Sequence, residues 1–265
     1  MEGYECPAPK NPEEQQKIAS CLSSLDEVIT AQSQKLDLLK EHKKGLLQNL
    51  FPQEGEKVPK LRFKEFVKDE EWKEQPLGSL SKLISEKAGT KKYKLLSVTA
   101  GIGFVSQLEK FGREIAGDSY KNYYVIRKGD FAYNKSSVKI HPEGQIALLE
   151  NDDFGAVPNS IFTCFRVDKN ILFPTFLKYP FENNIHGKWL RKFIAVGARA
   201  NGALNVDNKD LLALPIKFPS IAEQQKIASC LSSLDDLIKS QTEKVEQLKL
   251  HKKGLMQGLF PKINE

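Results

Sequence analysis

Residues 14–52 of this 265-residue chain recur near its other end as residues 223–261. At an offset of 209 positions, 27 of the 39 pairs are identical, among them EQQKIASCLSSLD, HKKGL and the closing LFP. Two units are too few for a solenoid, in which each repeat buries its face against regularly spaced neighbours. The duplication instead brackets a different middle.

Each copy has helical periodicity. Ile18, Leu22, Leu25, Ile29, Leu36, Leu39, Leu46 and Leu50, with Gln32 and Lys43 in the gaps, alternate spacings of four and three. This is the heptad seam of a helix that pairs with another. The second copy reproduces it at Ile227, Leu231, Leu234, Ile238, Gln241, Val245, Leu248, Lys252, Leu255 and Leu259. Asn11 and Ser220 stand as cap residues three positions before Glu14 and Glu223, whose carboxylates can reach back to them. Pro12 suits a first turn, and Pro52 and Pro261 stop the helices. At a rise of about 1.5 Å per residue each copy would be a rod of roughly 55–60 Å. Gln32 and Gln241 occupy equivalent seam positions, where a polar residue gives up stability and fixes register; a tolerated polar residue on an exposed helix is the competing reading.

With 40% hydrophobic residues, the chain can bury one substantial core besides the rods. No apolar run approaches the roughly 20 residues that span a bilayer, and the N-terminus lacks a signal-peptide core, so a soluble intracellular protein is expected. Cys6, Cys21, Cys164 and Cys230 form no close pair and read as buried free thiols. The net charge of +6 is uneven: residues 53–219 carry 27 Lys and Arg against 20 Asp and Glu, while the flanks carry 13 against 14. Basic residues concentrate further in 87–139 and 178–217, interleaved with Tyr, Trp, Asn and Ser, as suits a polyanion surface. A solvated basic face is the alternative.

The middle is not more rod. Val98–Val105 is Gly-rich and strand-like, Tyr123–Arg127 leads through Lys128-Gly129-Asp130 into Phe131–Tyr133 as strand, turn, strand, and Gln145–Leu149 and Ser160–Val167 are further strands. Phe173–Phe181 and Ile185–Val196 read as helices separated by Pro180. An α/β or α+β domain follows. There is no phosphate-binding loop, acidic-Pro-Pro-aromatic motif or His-x-x-x-His metal pair. Gly101-Ile102-Gly103 lacks the context of a dinucleotide site and reads as a turn, and Asp69, Glu71 and Lys73 are too closely spaced for a nuclease site and read as a charged linker. No catalysis by this chain alone is expected.

Pro59-Lys60-Leu61-Arg62-Phe63-Lys64-Glu65-Phe66 followed by Trp72, Leu77 and Gly78 resembles the opening of a target recognition domain in the specificity subunits of type I restriction-modification systems. Gly197-Ala198-Arg199, Asn201 and Leu204, then Leu211–Pro215, Pro219 and Glu223-Gln224-Gln225-Lys226-Ile227, resemble its closing into a helical repeat. The pattern covers nearly the whole chain, with one departure: a complete subunit has two recognition domains, and this chain has one between two repeats.

The resemblance implies a tail at 1–11, a first helical repeat at 12–52, a recognition domain at 53–219, a second repeat at 220–261 and a tail at 262–265. It implies an α/β (α+β) recognition domain flanked by two long helices that pair as an antiparallel coiled coil, within one chain or between chains. A cytoplasmic homodimer would read an interrupted, two-fold symmetric site on double-stranded DNA; a coiled-coil interaction scaffold, a sequence-nonspecific DNA-binding protein and a DNA-processing enzyme with an unrecognised motif are the competing readings. Methyltransferase subunits, and restriction subunits with them, would be the partners. S-adenosylmethionine would belong to the methyltransferase subunit, with no cofactor or metal in this chain. Candidate DNA contacts are Lys91, Lys92, Tyr93 and Lys94 in one basic loop and Arg113 and Lys121 in the next. Asn134, Lys135, Ser136, Ser137 and Lys139 after the Lys-Gly-Asp turn, and Arg199 and Asn201 in the closing loop, complete the set.

Overall fold

A computed structural model describes residues 9, 11–99, 101–136, 141–194 and 204–260; Cys6, Ser137, Lys139, Arg199, Asn201 and Pro261 lie outside the described residues. The chain forms two units, a helical one of Met1–Leu46 with Cys230–Glu265, and a globular one of Leu47–Ser229.

Helix α1 (Pro12–Asn49) leads into the globular unit. There follow β1 (Lys73–Pro76), α2 (Leu77–Leu80), β2 (Ser81–Leu83), β3 (Leu96–Thr99), β4 (Gly103–Ser106) and α3 (Gln107–Phe111). Next come β5 (Tyr124–Arg127), β6 (Phe131–Asn134), β7 (Gln145–Leu148), β8 (Phe154–Val157) and β9 (Phe162–Val167). Helices α4 (Pro174–Glu182), α5 (Ile185–Leu190) and α6 (Asn208–Leu212), strand β10 (Pro215–Phe218) and helix α7 (Ile221–Leu259) complete the order.

One sheet has four strands in the order β2-β9-β6-β7, and three pairs stand beside it: β1-β10, β3-β4 and β5-β8. Every ladder among them is antiparallel, so the domain is α+β, built from hairpins and returns rather than βαβ crossovers. Gly101 (φ +75°) and Gly103 (φ +90°) turn β3 into β4, as the spacing of the two glycines predicts. The Lys128-Gly129-Asp130 turn also forms. Asp130 is buried, and its carboxylate accepts from the Arg127 N–H at 2.7 Å and from Arg166 Nε and Nη2 at 2.6 and 2.7 Å. Pro180 lies inside α4, in its last turn, rather than between two helices. The core packs Leu96, Val98, Ile126, Ala132, Ala147, Val157 and Phe162 around the sheets, and Phe131 stacks on Phe165 at 5.3 Å.

The ends of this unit are fastened together. β1 pairs with β10 so that Lys73 faces Phe218 and Pro76 faces Pro215. Phe51, from the LFP of the first repeat, packs with Trp72 and Phe176 at centroid distances of 6.0 and 5.3 Å. The Glu223 N–H donates to the Ser220 Oγ cap at 3.4 Å, but its carboxylate turns to Arg62 instead of reaching back to Ser220. Its side chain is 1% exposed and accepts from Arg62 Nε and Nη2 at 2.9 and 2.8 Å, while Arg62 is 7% exposed and donates further to the Asp69 and Glu70 carbonyls. A buried carboxylate beside a guanidinium fork gains more from two charge-assisted bonds than from one backbone N–H. Gln224 beside it accepts from the Phe173 N–H and donates to the Ile171 and Pro219 carbonyls.

In the helical unit, Leu36, Leu234, Gln241 and Val245 are buried. Ile18, Leu22, Leu25, Ile29, Gln32, Leu39, Leu46, Ile238, Leu248, Leu255 and Leu259 are half-buried. Gln241 Nε2 donates to the Gln32 carbonyl and to Gln32 Oε1, both at 2.9 Å. Lys43 pairs with Asp235 at 2.6 Å, and Lys252 pairs with Asp26. These partners run in opposite order along the two helices. Of the described cysteines only Cys164 is buried; Cys21 is exposed and Cys230 intermediate, because each lies one position before a seam residue rather than on the seam.

Removing one member of a buried ion pair leaves the other charge uncompensated. Arg62→Ala and Glu223→Ala are each expected to destabilise the globular unit by about 3–5 kcal/mol in urea denaturation, and Arg62→Lys, which keeps the charge and loses the fork, by less. Equal midpoints for wild type and Arg62→Ala would show that the pair does not hold the unit.

Candidate nucleic-acid interface

Two groups of loops carry the residues that composition singles out. In the first, Ala88 and Gly89 donate to the Tyr123 and Lys121 carbonyls at 2.9 and 3.0 Å. The Tyr93 N–H donates to Tyr120 Oη at 2.7 Å, and that hydroxyl donates to the Lys91 carbonyl at 2.8 Å. Tyr123 Oη donates to the Ile115 carbonyl at 3.1 Å. The loop before β3 and the segment after α3 are thus bonded into one support. From it Lys91, Lys92, Arg113 and Lys121 stand exposed. Lys94 is engaged with Asp152 at 3.0 Å, and half-buried Tyr93 lies 6.4 Å from the Phe154 ring, so these two are tied to the scaffold.

The second group surrounds the end of β6. Asn134 Oδ1 accepts from the Ser136 N–H at 2.9 Å, an Asx turn that starts the loop. Lys135 donates its N–H to the Ile161 carbonyl and accepts at its own carbonyl from the Leu204 N–H, at 3.0 and 2.8 Å. Asn134, Lys135 and Ser136 are half-buried. The loop at 134–136 is therefore bonded to Leu204.

Below this loop lies a polar cluster that composition does not single out. Gly144 has φ +80°, and a Cβ there would collide with the Asn134 carbonyl and the Tyr133 ring, so only glycine fits. Tyr133 Oη donates to the Glu143 carbonyl at 2.7 Å, and burial beside Glu143 pushes the phenol well above its ordinary range. The Glu143 side chain is 5% exposed and accepts from Arg191 Nε at 2.9 Å and from Arg191 Nη2. Burial raises the Glu143 pKa, but the Arg191 hydrogen bonds and a local backbone bond outweigh it and leave the group below the ordinary carboxylate range. His186 is buried, and its Nε2 lies 3.2 Å from the Gly144 carbonyl, which accepts and so places the ring proton on Nε2. Burial holds its pKa down to about 4, with His141 adding to the effect and the Gly144 bond and Glu143 opposing it. Glu143 and Arg191 are 48 residues apart and share no motif, and no spacing rule would have joined them.

Asp69, Glu71 and Lys73 form no acidic site. Glu71 pairs with Lys57 at 3.2 Å, and Lys73 is in β1. No described helix is long and apolar enough to cross a membrane.

The family described as "Type I restriction modification DNA specificity domain" matches residues 69–250. The type I restriction enzyme MjaVIII specificity subunit of Methanocaldococcus jannaschii is 26% identical, over 94% of this chain and 59% of its own length. Two crystal structures share the fold. The HsdS subunit from Thermoanaerobacter tengcongensis has a TM-score of 0.55 at 16% identity, over 94% of this chain and 58% of that one. The type I restriction-modification S subunit from M. genitalium has a TM-score of 0.56 at 14% identity, over 96% and 62%. The chain spans about three-fifths of the length of these relatives.

Because the folded-state pKa of His186 is about 4 against an ordinary 6.5, the unfolded chain binds the proton first as pH falls. The stability that this histidine contributes is complete above its unfolded pKa and declines towards pH 4. From pH 7 to 5 wild type is expected to lose about 2 kcal/mol more than His186→Gln in urea denaturation. Parallel losses would contradict the burial assigned to the ring.

Proposed function

Because this chain belongs to the family of type I restriction-modification DNA specificity domains, we propose that it is the non-catalytic DNA-reading subunit of a type I complex, a cytoplasmic protein that positions methyltransferase subunits, and restriction subunits with them, on duplex DNA. The family match across most of the globular unit carries this reading. The placement of exposed cations supports it: Lys91, Lys92, Arg113 and Lys121 project from loops whose backbones are bonded to one another. Phosphate contacts need such a rigid support to set register before bases are read. Tyr93, Lys94, Asn134, Lys135 and Ser136, with Ser137, Lys139, Arg199 and Asn201, complete the proposed contact set. S-adenosylmethionine would be held by the methyltransferase subunit.

The two long helices act as an antiparallel coiled coil that joins two copies of the chain, so that a pair of recognition domains reads an interrupted, two-fold symmetric site. Support comes from the distribution of identity between the repeats. Residues 14–26 match at all 13 positions and residues 42–52 at 9 of 11, whereas 27–41 match at 5 of 15. A coiled coil needs only its seam, so the additional identity at the ends serves something that docks there. In the second copy it does: Glu223 and Gln224 are buried in the globular unit, while their equivalents Glu14 and Gln15 are exposed. The first copy thus presents the same two residues on a solvent-exposed helix start.

Sedimentation equilibrium at micromolar concentration is expected to give twice the chain mass, and a monomer with and without duplex DNA would refute the dimer. Duplex affinity should fall steeply with salt, and Lys91→Ala with Lys92→Ala should flatten the slope of log K against log salt by about 0.9 for each phosphate no longer neutralised. A salt-independent affinity would refute the DNA interface.

A further inference from the structure

Arg191 is 71% exposed, yet its guanidinium is anchored to Glu143, a carboxylate that is 5% exposed. The anchor is one-sided. Nε and one N–H of Nη2 are directed to the single oxygen Oε1 of Glu143, which leaves the outer fork, Nη1 together with the second N–H of Nη2, turned away from the carboxylate. A long side chain at this exposure normally samples many rotamers, and ordering it on binding is costly. Here a buried acceptor has already ordered it. Glu143 is itself held from behind: its carbonyl takes the Tyr133 hydroxyl at 2.7 Å, and the Gly144 carbonyl takes His186 at 3.2 Å.

The setting is the second loop group. Glu143 directly precedes Gly144, over which the Asn134 carbonyl lies too close for any Cβ. Asn134 opens the loop whose next residue, Lys135, meets the chain again at Leu204. Lys188 and Lys192 stand exposed beside Arg191, and Lys192 Nζ sits 3.3 Å above the Trp189 ring, whose N–H is fixed to the Asp210 carbonyl at 2.8 Å. Three cations therefore leave one short stretch, and Arg191 alone has its planar fork oriented by a buried partner.

We propose that Arg191 contacts DNA through this outer fork, taking a paired acceptor on the duplex, and that Glu143 is the residue that positions it. This rests on the DNA-reading function proposed above. Two acceptor pairs on a duplex have the required geometry, guanine O6 with N7 and two oxygens of one phosphate. A purely structural ion pair is the competing role, and lysine separates the two. Lysine keeps a positive charge and a donor for Glu143 but has no fork.

The test selects duplexes from a randomised pool with the full chain, then measures affinity across salt for wild type, Arg191→Lys, Glu143→Gln and the double variant, with thermal unfolding of each. Arg191→Lys is expected to weaken binding to the wild-type-selected duplex roughly 5- to 100-fold. If the acceptor is guanine, the preference relaxes at one position of each half-site. If it is phosphate, all sequences weaken alike and the salt slope falls by about 0.9. Glu143→Gln should weaken binding in wild type and have little further effect on Arg191→Lys, since it acts through that fork. Arg191→Lys with wild-type affinity, preference and salt slope overturns the proposal while leaving DNA reading intact. Failure of the wild-type chain to bind any duplex overturns both.

Discussion

The buried Arg62–Glu223 pair is the constraint around which the globular unit is arranged. It links residues 161 positions apart, one in the opening segment and one in the first turn of α7. Two charges withdrawn from water are stable there only because the fork geometry is complete and the remaining Arg62 donors reach the Asp69 and Glu70 carbonyls. The β1–β10 ladder and the Gln224 bonds to Ile171, Phe173 and Pro219 lie in the same seam of the unit. Together they close the domain where its chain enters and leaves. Its intervening loops can then differ without opening the scaffold, which is what a recognition domain requires of its frame.

The same closure explains how one sequence has two fates. EQQKIASCLSSLD is a helix start in both copies, but Glu14 meets solvent and Glu223 meets Arg62. The cap position, three residues before the carboxylate, was legible; the stronger partner was not, because nothing local to Glu223 announces an arginine that far away. A 3.5-residue period marks a helix face directly in sequence, and Gln241, at one polar position of that face, donates to Gln32 at the other. Inside the globular unit, strands with contiguous apolar runs, such as β6, β7 and β9, were legible. β1, β2 and β10 were hidden by charged and proline-bearing sequences, KEQP, SKL and PIKF, that become strands only because a partner strand waits for them.

The candidate interface divides in the same way. Charge density located the loops bearing Lys91, Lys92, Arg113 and Lys121, because exposed cations need no partner to be visible in sequence. It did not single out Arg191 and Glu143, whose meaning lies in a tertiary contact, or distinguish Lys94, which Asp152 engages, from its free-standing neighbours. Hydrogen bonds of Tyr120, Tyr123 and Asn134 hold the loop backbones at this surface.

The helices are proposed to bring a second copy of the recognition domain beside the one that lies between the repeats. Selection of bound sequences from a randomised duplex pool, by the full chain together with type I methyltransferase subunits, tests it most directly. The account predicts two identical half-sites in inverted orientation, separated by a spacer of constant length and no sequence preference. A single unrepeated half-site, or half-sites at variable spacing, would contradict it.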